Sequence, residues 1–177
     1  MFLRRVGVAA AIVAIAAAAG WLAGFRWNET ESLPPGLWRI SGAGGEAIKG
    51  RIAFFCPPAT PAVLEAKERG YMREGRCNGV EHLFKPIVAV AGDVVEVADD
   101  GIRVNGLEVP NSKPMRADGA GRAMPQLERG TRVVEAGQAW AVSSYTALSF
   151  DSRYIGPIDV ASIDGQADPI WITESER

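Results

Sequence analysis

The chain has 177 residues, with 19 Lys+Arg, 21 Asp+Glu, one His and a net charge of −2. That length suits one domain with an added segment, not two full domains. The near-balanced charge leaves no basic patch dense enough for nucleic acid, so no nucleic-acid partner is expected.

Residues 1–5 carry Arg4 and Arg5, and residues 6–25 follow as 20 residues without a charged side chain. A helix of that length reaches about 30 Å, the thickness of a bilayer's hydrocarbon core. Arg26 closes the stretch, and Trp21 and Trp27 stand where an interfacial aromatic belt would lie. The expected organisation is a cytoplasmic segment at 1–5, a transmembrane anchor at 6–25 and an exported domain at 26–177. Nine alanines in the apolar stretch, and small residues at 16–19, equally suit a cleaved secretory signal. In either case the remainder is exported. It carries a net charge of about −4, because Arg4 and Arg5 are the only charged residues before it.

Beyond residue 25 the pattern is short strands between turn signals. Strands are expected at 36–40, 51–55, 83–90, 94–97, 102–105, 107–109, 132–135, 139–143 and 170–172. The turn at 98–101 predicts a hairpin, and Ala136-Gly137-Gln138 suggests a second one joining 132–135 to 139–143. Residues 110–126 are rich in Pro, Gly, Asn and charge and read as a long surface loop. A single helix is predicted at 62–69, with Thr60 as N-cap, Pro61 in the first turn and Gly70 as its stop. Cys56 and Cys77 bracket that helix, and in an exported domain a disulfide between them would persist. Two free structural thiols are the alternative. A bridge would staple residues 56–77 as a small cap remote from the chemistry, worth roughly 3 kcal/mol. The fold class is mainly β, a coiled barrel or sandwich with one short helical insertion.

The residue inventory narrows the chemistry. His82 is the only histidine and no H-E-x-x-H occurs, so a metal hydrolase is not expected. No phosphate loop or dinucleotide fingerprint appears, and no cofactor is expected. No G-x-S-x-G elbow accompanies His82, and oxidised cysteines offer no thiolate. Serine with lysine remains, a known variant of acyl-transfer chemistry. A lysine acts as a base only when neutral, so it must be desolvated. Lys85 sits in the most apolar setting of any lysine here, sharing a strand face with Leu83, Ile87 and Ala89. Taken alone, it is equally an edge residue with its amine in solvent. Ser32 lies in a turn-prone stretch held by Pro34, Pro35 and Gly36, and taken alone is a loop serine.

Three separated blocks, in order, resemble the signal peptidase I superfamily. Residues 28–37 have the N-x-T-x-S-x-P-x-G-L form of its nucleophile box. Residues 85–95 are similar to its lysine box ending in Gly-Asp, here Gly92-Asp93. Residues 149–156 match its S-x-D-S-R-Y-x-G box. Lys85-Pro86, the Phe150–Tyr154 run and the Cys-Pro-Pro…Arg-Gly-Tyr…Cys insertion look most like the TraF-type conjugal-transfer peptidases of that superfamily.

The resemblance implies Ser32 as nucleophile, Lys85 as general base and Ser149 as the group that orients the lysine amine. It implies that the Ser32 N–H and the Thr30 hydroxyl hold the oxyanion. Asp151 and Arg153 carry over either as an ion pair or with Asp151 in a direct catalytic role. The implied protein is a single-pass enzyme of the bacterial inner membrane, N-terminus cytoplasmic and catalytic domain periplasmic. The implied substrate is an exported precursor, a conjugative pilin propeptide, with type IV secretion components as partners. The ester is resolved by water, or by the substrate's own amine to give a cyclic product. A housekeeping signal peptidase, a self-cleaving Ser-Lys repressor and a non-catalytic secretion-channel scaffold are the competing readings.

Overall fold

A computed structural model describes residues 2–173. Of the segment expected to be cytoplasmic, Met1 and the Arg4 side chain lie outside the described residues, as do residues 174–177.

The alanine-rich stretch forms helix α1 (Phe2–Leu22), and residues Arg5–Leu22 are long and apolar enough to cross a membrane. The helix stops earlier than composition suggests. Gly24, at φ 88°, turns the chain where a Cβ would lie 2.4 Å from the Ile40 carbonyl oxygen. Phe25, counted from composition as the end of the span, therefore opens strand β1 (Phe25–Asn28).

Ten further strands follow: β2 (Gly36–Ser41), β3 (Ile52–Phe55), β4 (Leu83–Val90), β5 (Val94–Val97) and β6 (Ile102–Val104). Then come β7 (Leu107–Glu108), β8 (Gly130–Val133), β9 (Gln138–Ala141), β10 (Ile158–Asp159) and β11 (Ile163–Ile172). They build a curled seven-stranded sheet ordered β1-β2-β11-β3-β4-β9-β10, and a four-stranded sheet ordered β7-β6-β5-β8. The mainly β class is as expected. One core packs Ala53, Phe55, Ile87, Ala141, Ile158 and Ile163, and a second packs Val95, Val97, Ile102, Trp140 and Val142. Strand β9 feeds both, because Ala141 and Trp140 point to opposite faces.

The hairpin across 98–101 forms, pairing Val97 with Ile102 and Val95 with Val104. The one expected around Gly137 does not. β8 pairs with β5, whereas β9 pairs with β4 and β10. The reason lies in burial: β8 is largely exposed and β9 almost wholly buried. Two strands wanting such different surroundings lie in different sheets, and Gly137 marks the corner between them. Strand β11 is also far longer than the three residues expected. Its polar and Pro positions hide a strand that pairs with both β2 and β3, with register shifts at Ile163/Gly165 and Pro169/Trp171.

Helix α2 (Pro61–Glu68) matches its sequence signals, and Thr60 Oγ1 accepts from the Val63 N–H at its N-terminus. Cys56 and Cys77 are disulfide-bonded, with Cα atoms 5.1 Å apart. The segment they enclose is not remote from the rest. Arg69 Nη1 donates to the Ala123 carbonyl at 2.7 Å, and the Tyr71 hydroxyl bonds to Asp118. Residues 110–126 are correspondingly not a plain loop. Ala117 bridges Ala123, and Asp118 Oδ1 accepts from the Ala120 and Arg122 N–H groups at 2.9 and 2.8 Å.

Candidate active site

The Ser32 turn is organised by Asn28, the last residue of β1 and itself 4% exposed. Its Nδ2 donates to the carbonyls of Thr30, Leu33 and Pro34 at 3.1–3.2 Å. Its Oδ1 accepts from the Thr30 N–H at 3.2 Å and the Thr30 hydroxyl at 2.8 Å. One side chain thus binds the turn on both sides of Ser32, an Asx-type use of asparagine. At the exit, Gly36 has φ 148°, and a Cβ there would sit 2.2 Å from the Trp171 carbonyl oxygen. Only glycine lets β2 leave the turn so close to β11. Leu33 is buried beside Trp38, while Ser32 stays half-buried.

Lys85 lies in β4, which runs between β3 and β9, so it is an interior residue and not an edge one. It pairs opposite Ala53, shares its buried face with Leu83, Ile87 and Ala89, and is 4% exposed. Burial pushes its pKa down from 10.5 to about 8, helped by the positive charge of Arg153 and opposed by Asp151 and Glu81. Among the described residues no hydrogen bond or ion pair reaches its amine.

Behind it stands a buried framework. Asp151 caps the short helix α3 (Ser152–Ile155), and its carboxylate meets Arg153 in a bidentate pair at 2.8 and 2.9 Å. Both side chains are 0% exposed. The remaining Arg153 donors go to the carbonyls of Asn111, Ala147 and Ser143. Asp151 also accepts from the N–H groups of Ser143 and Arg153. With four hydrogen bonds to its two oxygens, the carboxylate is saturated. Ser143 carries this framework to the turn: its hydroxyl donates to the Ser32 carbonyl at 2.5 Å.

Ser149 is buried, and its Oγ has no hydrogen-bond partner among the described residues. The bond to Lys85 that the family resemblance implies is therefore not made. His82 stacks on Phe54 with ring centroids 4.2 Å apart and places Nε2 at 2.7 Å from Asp164 Oδ2. That nitrogen is also 3.6 Å from Cys56 Sγ. A cysteine–histidine cluster of this kind has metal-ligand spacing, yet both sulfurs are consumed by the disulfide.

A cleft of about 310 Å³ brings Thr30, Ser32 and Lys85 onto one surface, with Tyr71 and Met72 as part of its wall. The cap enclosed by the disulfide thus borders the cleft that holds Ser32 and Lys85, where the expectation set it apart from them. Sequence reasoning places Ser32, Thr30 and Lys85 together, and sets Asp151 and Arg153 beside the lysine. It gives no role to Asn28 or Ser143. A signal exists for Asn28, since an asparagine four residues before a serine and a Pro-Pro-Gly marks a side-chain-wrapped turn. None exists for Ser143, whose hydroxyl reaches the Ser32 carbonyl from 111 residues away.

The profile described as signal peptidase, peptidase S26, matches residues 2–172. The chain belongs to the S26 signal peptidase family. Members of that family are serine-type, membrane-associated peptidases, and α1 supplies one apolar N-terminal helix for such an association. Among curated relatives, the plasmid transfer protein TraF of Escherichia coli is 39% identical over 173 residues, covering 95% of this chain and 96% of its own. The probable conjugal transfer protein TraF of Sinorhizobium fredii is 41% identical over 153 residues, 86% of this chain and 79% of the relative. The conjugal transfer protein TraF of Agrobacterium tumefaciens is 37% identical over 164 residues, 92% and 91% of the two chains. Among solved structures, a signal peptidase I from Enterococcus faecalis aligns over 68% of this S26 chain and 96% of its own. That alignment has 19% identity and a TM-score of 0.39.

Proposed function

We propose that this S26 peptidase is a Ser-Lys endopeptidase that processes an exported precursor for conjugative transfer, with a pilin propeptide as substrate. The observation that carries it is a 4% exposed lysine, without an ion-pair partner among the described residues and pushed down to about pKa 8, on the same cleft as a serine held in a wrapped turn. At neutral pH an ordinary lysine has almost no neutral amine, whereas this one has an appreciable share. Ser32 Oγ attacks the scissile carbonyl while Lys85 Nζ takes its proton. The tetrahedral oxyanion collapses, the leaving amine takes that proton back, and an ester on Ser32 remains. Water or an amine of the substrate then releases the acyl group, as a free carboxylate or as a new amide. An amide closed by the precursor's own N-terminus makes the product a ring.

The Ser32 N–H and the Thr30 hydroxyl are the proposed oxyanion donors. Thr30 is held by Asn28 Oδ1 and must exchange that acceptor for the oxyanion. Each such donor is worth about 10²–10³ in rate. The family resemblance supports Ser149, whose buried hydroxyl has no hydrogen-bond partner among the described residues, as the group that steadies the Lys85 amine. Asp151, saturated by Arg153 and Ser143, supports the site as framework, not as a proton carrier. Arg4, Arg5 and the apolar helix support an uncleaved inner-membrane anchor with its N-terminus in the cytoplasm and residues 26–177 in the periplasm.

His82 and Asp164 form a second possible base pair at the margin of the cleft, so one experiment separates the two readings. Precursor cleavage is measured for Ser32→Ala, Lys85→Arg and His82→Ala in membranes. The expected result is loss of cleavage in the first two and retention in the third, since a guanidinium stays protonated. Retained cleavage in Lys85→Arg with loss in His82→Ala would move the base to the histidine.

A further inference from the structure

We propose that the cleft opens into a second chamber that selects one bulky apolar side chain of the substrate, a few residues from the scissile bond. The proposal rests on the peptidase reading above. The chamber has a volume of about 270 Å³ and is walled by Tyr71, Met115, Met124, Phe150 and Tyr154, with Leu148 at its mouth. Tyr71, Leu148 and Phe150 also line the space that holds Ser32 and Lys85, so the two spaces adjoin along these side chains.

The polar atoms of the chamber are spoken for. Asp118, its one acid, accepts from the N–H groups of Ala120 and Arg122, from Arg122 Nε and from the Tyr71 hydroxyl. The Tyr154 hydroxyl accepts from the Met115 N–H at 2.9 Å. What faces the space is ring and thioether, with Phe150 stacked on Tyr154 at 5.4 Å. Apart from Asp118, whose charge is already paired with Arg122, such a lining is apolar and adapts to a large apolar group.

The walls are fixed in advance. Gln126 Nε2 donates to the carbonyls of Met115 and Pro125, both at 2.9 Å. The cap segment is tied to the far wall through Arg69 and Ala123, and to the sheet through the disulfide. Leu148 is 65% exposed between the two spaces, and an apolar occupant would cover it.

The test uses the full chain in detergent micelles and a randomised peptide library spanning the cut, with products read by mass spectrometry. One position should favour Phe, Leu or Met over Ala, Asp and Lys by roughly ten- to a hundred-fold in kcat/KM, the worth of burying one such side chain. Gly119 lines the chamber and a Cβ there meets nothing within 4 Å, so Gly119→Phe sets a ring at the chamber's edge without a clash at its Cβ. In that variant the ratio between Phe and Ala peptides should fall to near one. Leu148→Asp, at an exposed site, should lower the same ratio. A library profile flat at every position, or a preference unchanged in both variants, overturns the chamber while cleavage still depends on Ser32. Cleavage that persists in Ser32→Ala overturns the peptidase reading instead.

Discussion

Two cations are buried among the described residues, Arg153 and Lys85, and they are treated in opposite ways. Arg153 makes five hydrogen bonds and a bidentate ion pair, so every donor it owns is satisfied. Lys85 is as thoroughly buried, yet among the described residues no hydrogen bond or ion pair reaches it. A buried charge with full compensation becomes framework, and one left without it shifts its pKa. The guanidinium cannot yield its proton, so it is the right group to lock in place. The ammonium can, and burial persuades it to. The same interior thereby holds a permanent charge and a conditional one, and only the conditional one can do proton chemistry.

The largest effect that tests this contrast is at Lys85. Lys85→Met should reduce cleavage by about 10²–10⁴-fold or more, the usual worth of a general base. The same change should raise the melting temperature at pH 7. In the unfolded chain the amine titrates near 10.4, and in the fold near 8. The folded state is therefore penalised below pH 8, by on the order of 3 kcal/mol, and the penalty fades as pH rises from 8 to 10.4. A calorimetric scan in which Lys85→Met melts lower than the parent at pH 7 would break the comparison. In the parent enzyme, the cleavage rate should climb about tenfold per pH unit between 6 and 8 and then level off.

Arg153's side of the contrast predicts the reverse. Asp151→Ala strands a buried guanidinium and should destabilise the fold by about 3–5 kcal/mol. Replacing both partners, as Asp151→Leu with Arg153→Met, should recover much of that in a denaturant titration. If the double variant is no better than the single one, the pair is not the framework described.

Breaking the disulfide is expected next in size. Cys77→Ser should lower stability by roughly 3 kcal/mol. Because Tyr71 and Met72 wall the cleft, it should also lower turnover per folded molecule. Turnover unchanged in the remaining folded protein would restore the cap to a purely structural part.

The smallest effect is at Ser143, where the two regions touch. Ser143→Ala removes the hydroxyl that holds the Ser32 carbonyl, and should lower kcat by roughly three- to tenfold with little change in KM. An equal change in KM would mean that the hydroxyl shapes binding and not the nucleophile.

Much of the frame is legible in the sequence because local chemistry sets it. Strand β4 has the bounds its apolar run suggests, and α2 begins at Thr60-Pro61 and stops before Gly70 as its caps dictate. The Val97–Ile102 hairpin follows from its turn. Strand β1 is hidden because Phe25 continues an apolar run, and only the approach of Ile40 to Gly24 ends the helix. Most of β11 is hidden because Asp164, Gln166, Asp168 and Pro169 break any alternation, and pairing with two long-separated strands overrides their poor propensity. The site divides along the same line. Ser32, Lys85, Asp151 and Arg153 are legible as residue types in spaced blocks. Asn28 is readable from its local spacing to Ser32 and Pro-Pro-Gly. The roles of Ser143 and Tyr71 depend on the Ser32 carbonyl and the Asp118 loop that each one meets far along the chain, and no local pattern encodes that.

The Pro-Pro-Gly exit of the Ser32 turn is clasped from the far end of the described chain. Gly36 and Leu37 pair with Ile172 and Trp171, and Thr173 donates through both its N–H and its hydroxyl to the Pro35 carbonyl. Trp27, just before the turn, stacks on Trp171. A contact spanning more than 130 residues closes late in folding, because its loop entropy is met only after the intervening strands are in place. The Ser32 turn is therefore expected to assemble after its neighbours. On the proposed reading, the Ser32 turn crosses the membrane ahead of the strand that braces it, and cleavage activity is expected only once β11 has paired with β2.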